Sequence, residues 1–270
     1  MRIAISNIAW DVNEDDAVAA LLQTKNIDAI DIAPGKYFPD PVQTNEAAIK
    51  RVNQYWRARG IHITGMQGLL FATTGLNLFA DQSIQQKMLD RLEAIARIAG
   101  QLDAKKLVFG SPKNRDRSHL SDQQTQSIAL EFFHQLGDRA AKHGVCFCLE
   151  PNPEQYGANF MCDSIDTGEM VAAINHPAIK MQLDTGALTI NQESIADIVG
   201  KYQSLIGHIH ASEPDLHTLG DGGCDHQYIA NTLKPNLADL IVTIEMRASD
   251  SEPHLNAIER ALDLAINAYG

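Results

Sequence analysis

The chain has 270 residues, 44% of them hydrophobic and 21% charged, with a formal net charge of −12. That length suits one large core, and α/β barrels often reach it as a single domain, here residues 1–270. The acidic balance argues against nucleic acid as a partner, because phosphate-binding proteins usually carry a basic face.

Along the chain, short β-like runs alternate with longer stretches of helical spacing. RIAIS (2–6) is the first run; the helical DDAVAALLQTK then leads to IDAIDIA (27–33). EAAIKRVNQYWRARG leads to IHITGM (61–66), and SIQQKMLDRLEAIARIAG to KLVFG (106–110). SDQQTQSIALEFFHQLGDRAAKHG precedes VCFCLE (145–150), and SIDTGEMVAAI precedes KMQLD (180–184). SIADIVGKY, LIGHIH (205–210), DHQYIANTL, LIVTIE (240–245) and PHLNAIERALDLAINAY complete the series. Gly60, Gly100 and Gly144 fall where helix C-caps are expected. Eight such units in a chain near the ~250 residues typical of the fold predict a single-domain (β/α)8 TIM barrel. A doubly wound open sheet would place a glycine-rich phosphate loop after the first strand, and SNIAWDVNEDD contains no glycine.

No apolar run approaches the ~20 residues that span a bilayer, so no membrane partner is expected. The N-terminal stretch lacks a basic region leading into an extended apolar one, and Cys146, Cys148, Cys162 and Cys224 form no C-x-x-C pair. A cytoplasmic protein with reduced thiols is the expectation.

Barrel active sites gather at the C-terminal ends of the strands. Strands five to eight end in LEPN, QLDTG, HIHASE and TIEMR, which bring Glu150, Asp184, His210 and Glu245 to one rim. Taken singly, each has a structural explanation: a solvated rim acid, a turn cap, a core histidine. Together, three carboxylates and one imidazole make a ligand set for one divalent cation, Mn²⁺ or Mg²⁺ first, then Co²⁺ or Zn²⁺. A cation also supplies the charge that a buried acid cluster lacks.

The series LEPN, QLDTG, HIHASE and TIEM on this repeat resembles the xylose isomerase-like TIM-barrel family, across essentially the whole chain. That group contains sugar and sugar-phosphate isomerases and epimerases, related to ketose 3-epimerases and hydroxypyruvate isomerases. It also contains dehydratases and metal-dependent apurinic endonucleases. The resemblance implies that Glu150 and Glu245 bind the metal and act as the acid/base pair, with Asp184 and His210 completing the coordination. It also allows a homo-oligomer. One glutamate would remove a proton α to a carbonyl and the other return one to the opposite face, through an enediolate.

The chain departs from the family in the substrate layer. Ala187 stands where LDTxH would place histidine, and Leu216 where ketohexose 3-epimerases place arginine. Gln67 stands near a position that is histidine in the endonucleases, which fits neither their zinc set nor this acidic chain. Substrate-binding candidates are Gln67, Asn152, Glu213, Arg247, Arg115 and His226. Arg247, two residues past Glu245, is equally a receiver for a carboxylate or phosphate and a rim salt bridge. The turn GSPKNRDR, with Lys113, Arg115 and Arg117, reads first as a solvated basic loop and second as a phosphate subsite. Trp10, Phe71 and Phe79 are candidate walls for a sugar ring.

The function expected is a divalent-metal-dependent isomerase or epimerase of a small sugar, sugar acid or sugar phosphate. Two alternatives stand beside it: a metal-dependent dehydratase of a cyclic polyol or keto acid, and a non-catalytic sugar-binding barrel.

Overall fold

The computed structural model describes residues 1–270. Eight strands form a closed, all-parallel barrel in sequence order. They are β1 (Arg2–Ser6), β2 (Ala29–Ile32), β3 (His62–Met66), β4 (Lys106–Phe109), β5 (Cys146–Leu149), β6 (Ile179–Asp184), β7 (Ile206–Ser212) and β8 (Ile241–Glu245). Pairing of β1 with β8, from Arg2–Ile241 to Ile5–Ile244, closes the ring. The outer layer comprises α1 (Asp15–Thr24), α2 (Glu46–Arg57), α3 (Gln82–Leu102), α4 (Asp122–Lys142), α5 (Ser164–Ile174), α6 (Thr185–Asn191), α7 (Ile195–Tyr202), α8 (His226–Leu237) and α9 (His254–Tyr269). A core cluster of 69 buried residues joins the outward strand faces to the apolar stripes of the helices. No helix is long and apolar enough to cross a membrane. The four cysteines are free.

Two expectations about elements change. Gly100 does not end α3, which runs on to Leu102 and is closed by Asp103 in the left-handed region (φ 65°). Gly100 instead allows close helix packing, since a Cβ there would fall 2.6 Å from the His143 carbonyl oxygen. Gly60 and Gly144 do adopt positive φ just past α2 and α4. The short α6 had no counterpart in the periodicity. It forms because Asp184 is both the end of β6 and an N-cap, accepting from the Ala187 N–H at 2.7 Å.

Inside the barrel the packing is polar. Asp31, with no exposed surface, accepts from Thr64 Oγ1 at 2.8 Å and Thr243 Oγ1 at 2.9 Å, and lies 2.8 Å from His208 Nε2. Burial alone would raise the Asp31 carboxyl, but His208 and the Thr64 hydroxyl hold it below its ordinary value. A Cβ at Gly65 would come within 2.7 Å of the Asp31 carboxylate, so the strand facing it carries glycine. Gln182 lies 3.0 Å from His208 Nδ1 and, with its amide oxygen toward β7, accepts from the His210 N–H at 3.1 Å. This network is the floor beneath the rim residues.

Candidate metal centre and active site

The four rim residues do not lie in one row of the sheet. Asp184 pairs with His210 across β6 and β7, whereas His210 pairs with Thr243, so that Glu245 stands two residues further along, opposite Ser212. Glu150 follows directly on the Leu149–Met181 pair, below the level of Asp184. A barrel of shear 8 climbs about one residue per strand, and this stagger brings the four to one height.

At that height the side chains converge. His210 Nδ1 lies 3.1 Å from Glu245 Oε2, 3.2 Å from Glu150 Oε1 and 3.8 Å from Asp184 Oδ2. All four residues are buried, and one donor atom from each lies within 4.8 Å of the others. Ser212 Oγ donates to Asp184 Oδ2 at 2.8 Å, and Gln67 Nε2 donates to Glu245 Oε1 at 2.5 Å. No lysine or arginine side chain pairs with any of the three carboxylates.

The electrostatics follow from that deficit. Burial, then Glu245 and Glu150, push the Asp184 carboxyl up to about 8. Burial opposes a charged His210, yet Glu245 and Glu150 raise it well above the ordinary histidine range. Glu245, also opposed by burial, is held below its ordinary value by His210 and Gln67. The cluster retains protons where a cation would serve. Three carboxylates and a histidine nitrogen without a cationic side chain fit a divalent ion.

The cluster opens into a cavity of about 860 Å³ whose wall includes Glu150, Asp184 and Glu245. Of the substrate candidates, Gln67, Asn152 and Arg247 line this cavity. Gln67 is buried, and its Oε1 has no protein partner. Ala187 and Leu216 also line the wall.

The other candidates lie elsewhere. Arg115 is buried and donates through Nη1 to the Glu150 carbonyl at 2.8 Å, so it braces the Glu150 backbone. Burial lowers its guanidinium to about 10. Glu213 and His226 bond to each other at 3.0 Å outside the cavity wall. Glu213 also accepts from the Gly220 and Cys224 N–H groups, and His226 Nδ1 lies 2.7 Å from the Tyr269 hydroxyl. In the basic turn, Arg117 pairs with Asp122 while Lys113 reaches the cavity. Trp10 is buried against Asp15 and Phe79 packs on Phe160, leaving Phe71, 81% exposed, at the mouth.

Asp31, Gln182 and Gly110 were not singled out from the sequence. Asp31 carried a signal of the kind that marks Glu150, an acid inside an apolar strand.

The family model of the xylose isomerase-like TIM barrel matches residues 19–267. A comparison with curated protein sequences gives no match. Among solved structures, D-psicose 3-epimerase from Clostridium cellulolyticum H10 superposes with a TM-score of 0.83 at 18% identity, covering 100% of this chain and 99% of that one. The 3-keto-D-glucoside 4-epimerase from E. coli gives 0.79 at 16%, covering 99% of each chain. A probable 3-DHS dehydratase from Bacillus anthracis gives 0.75 at 15%, covering 99% of each. At these identities the likeness is one of fold. With the family model spanning nearly the whole chain, the protein belongs to the xylose isomerase-like TIM-barrel family.

Proposed function

We infer that the protein is a divalent-metal-dependent isomerase or epimerase acting on a small sugar or sugar derivative. The observation that carries this is the placement of two carboxylates, Glu150 just after β5 and Glu245 at the end of β8, 3.2 and 3.1 Å from His210 Nδ1 and both lining one cavity. Glu150, Asp184, His210 and Glu245 would hold the cation. When bound, it polarises a substrate carbonyl and offsets the charge that develops there.

The chain's own residues do the rest. One glutamate takes the proton from the carbon α to the carbonyl, and the other delivers one to the opposite face. Gln67 fixes the Glu245 carboxylate through its amide N–H. Ser212 and the Ala187 N–H hold Asp184, so it stays in place while the two glutamates exchange protons. The D-psicose 3-epimerase structures, one with D-tagatose and one with D-fructose, support a sugar as the ligand class.

The test is deuterium incorporation from D₂O into a panel of ketoses, ketose phosphates and sugar acids by the Mn²⁺-loaded protein. Exchange is expected, and Glu245→Gln should lower it by about 10²–10⁴-fold. Unchanged exchange in that variant would overturn its assigned role. No exchange across the panel would favour a sugar-binding barrel without turnover. The fold shared with the probable 3-DHS dehydratase keeps a second reading in the same assay, loss of water, seen as a new enone absorbance.

A further inference from the structure

The cavity has a charge pattern that proton transfer does not use. Its acidic lining residues, Glu150, Asp184 and Glu245, all belong to the cluster on the floor. The remaining charged residues of the wall, Lys36, Arg91, Lys113 and Arg247, are all cationic. This occurs in a chain with 34 acidic residues against 22 basic ones.

Several arginines elsewhere have carboxylate partners: Arg2 with Asp28, Arg59 with Asp16, Arg139 with Asp90 and Glu93, Arg260 with Asp221 and Glu252. Arg247 has none. Its backbone N–H donates to the Leu216 carbonyl at 3.0 Å, and its guanidinium stands free at the cavity wall. Arg91 forms no ion pair either, and its Nε is buried without a partner. Lys113 donates only to the Thr73 carbonyl, at 3.3 Å.

Arg247 lies two residues past Glu245, about 7 Å along an extended chain and on the same side of it. The Ala248 N–H donates to the Ile8 carbonyl at 3.1 Å, which ties this segment to the one after β1. There the Lys36 ammonium donates to the Asn7 and Trp10 carbonyls, so a second positive charge is fixed on the same side. The wall also includes the apolar Ile8, Ala187, Leu216 and Ala248.

We propose that the substrate is anionic: its carbonyl end lies over Glu150 and Glu245, and its carboxylate or phosphate end is received by Arg247. This rests on the reading of the two glutamates as the reacting end. A guanidinium receives either group bidentately. A neutral sugar would leave Arg247, Arg91 and Lys113 without an anionic partner. Arg247 is thus the residue that selects the substrate class.

The experiment is calorimetric titration of the Mn²⁺-loaded protein with D-fructose, D-fructose 6-phosphate and D-fructuronate, at low and high salt. At least one anionic sugar should bind about tenfold or more tightly than D-fructose, and the preference should shrink with salt. Arg247→Gln should lose about tenfold for that anion while changing D-fructose by less than about twofold, and Arg247→Lys should recover part of the loss. The tighter anion identifies the group. Equal binding of neutral and anionic sugars, an equal loss for both in Arg247→Gln, or no detectable binding of either anion would overturn the proposal. Anion preference without deuterium exchange in the wild-type protein would overturn the proton-transfer reading alone. Exchange with no anion preference would overturn this one alone.

Discussion

Gly110 and Glu150 meet where no Cβ fits. A Cβ built on Gly110 would overlap Glu150 Oε2 and stand 2.8 Å from the carboxyl carbon. Gly110 directly follows β4, and its missing side chain is the space in which the Glu150 carboxylate reaches His210. Gly110→Ala should displace that carboxylate, lowering Mn²⁺ affinity by about 10–100-fold, as loss of a ligand's support typically does. The far-ultraviolet circular dichroism should not change. Wild-type Mn²⁺ affinity in this variant would show that metal binding does not depend on the carboxylate position that Gly110 permits.

Metal binding should release protons. In the metal-free protein Asp184 is pushed up to about 8 and His210 is raised well above its ordinary value, so both carry protons near pH 7. A cation must displace them, and its affinity should therefore rise with pH between 6 and 8. Calorimetry in two buffers of different ionisation enthalpy measures the release; equal heats would refute it. Linkage gives a companion sign. Both groups bind protons more tightly folded than unfolded, so the metal-free protein should lose stability as pH rises through this window. Added Mn²⁺ should then raise the melting temperature more at pH 8 than at pH 6.

Asp31 and His208 form a buried pair beneath the cluster of Glu150, Asp184, His210 and Glu245, 2.8 Å apart. Asp31→Ala removes the acceptor shared by His208, Thr64 and Thr243. Breaking a buried pair from one side typically costs about 3–5 kcal/mol. Urea unfolding of Asp31→Ala against wild type checks this, and a cost below about 1 kcal/mol would mean that water replaces the carboxylate without penalty.

Glu213 and His226 act on the loop between β7 and α8. Burial alone would raise the Glu213 carboxyl, but His226 and the N–H groups of Cys224 and Gly220 lower it to about 2. The folded value lies below the unfolded one, so its stabilisation is present above about pH 4.5 and disappears as pH falls toward 2. His226→Ala should destabilise the protein by about 1–3 kcal/mol and speed proteolysis between residues 217 and 225. Because neither residue lines the cavity, deuterium exchange by the folded protein should persist. Loss of exchange without loss of stability would return them to the substrate site.

The barrel is legible in the sequence because each strand is short, apolar and buried on both faces, and each helix repeats its apolar residues near every third or fourth position. The metal candidates are legible for a related reason. Glu150, Asp184, His210 and Glu245 are charged or ionisable residues at the ends of apolar strands, where burial without a partner is costly. Asp31 satisfies the same criterion within β2, but its partners Thr64, His208 and Thr243 come from three other strands. No local pattern links them.

The sequence by itself therefore determined the strand order, the rim and the chemical character of the four converging residues, since these depend on local periodicity and on which residues end each strand. The tertiary structure decided which neighbours share the cavity. Arg247 still follows the direction of β8 and reaches the wall, whereas Arg115, Glu213 and His226 lie past strand ends, where loop path and packing set the side-chain direction. Alternation assigns a face only while the chain stays extended, and beyond that point contacts from distant segments choose the partner.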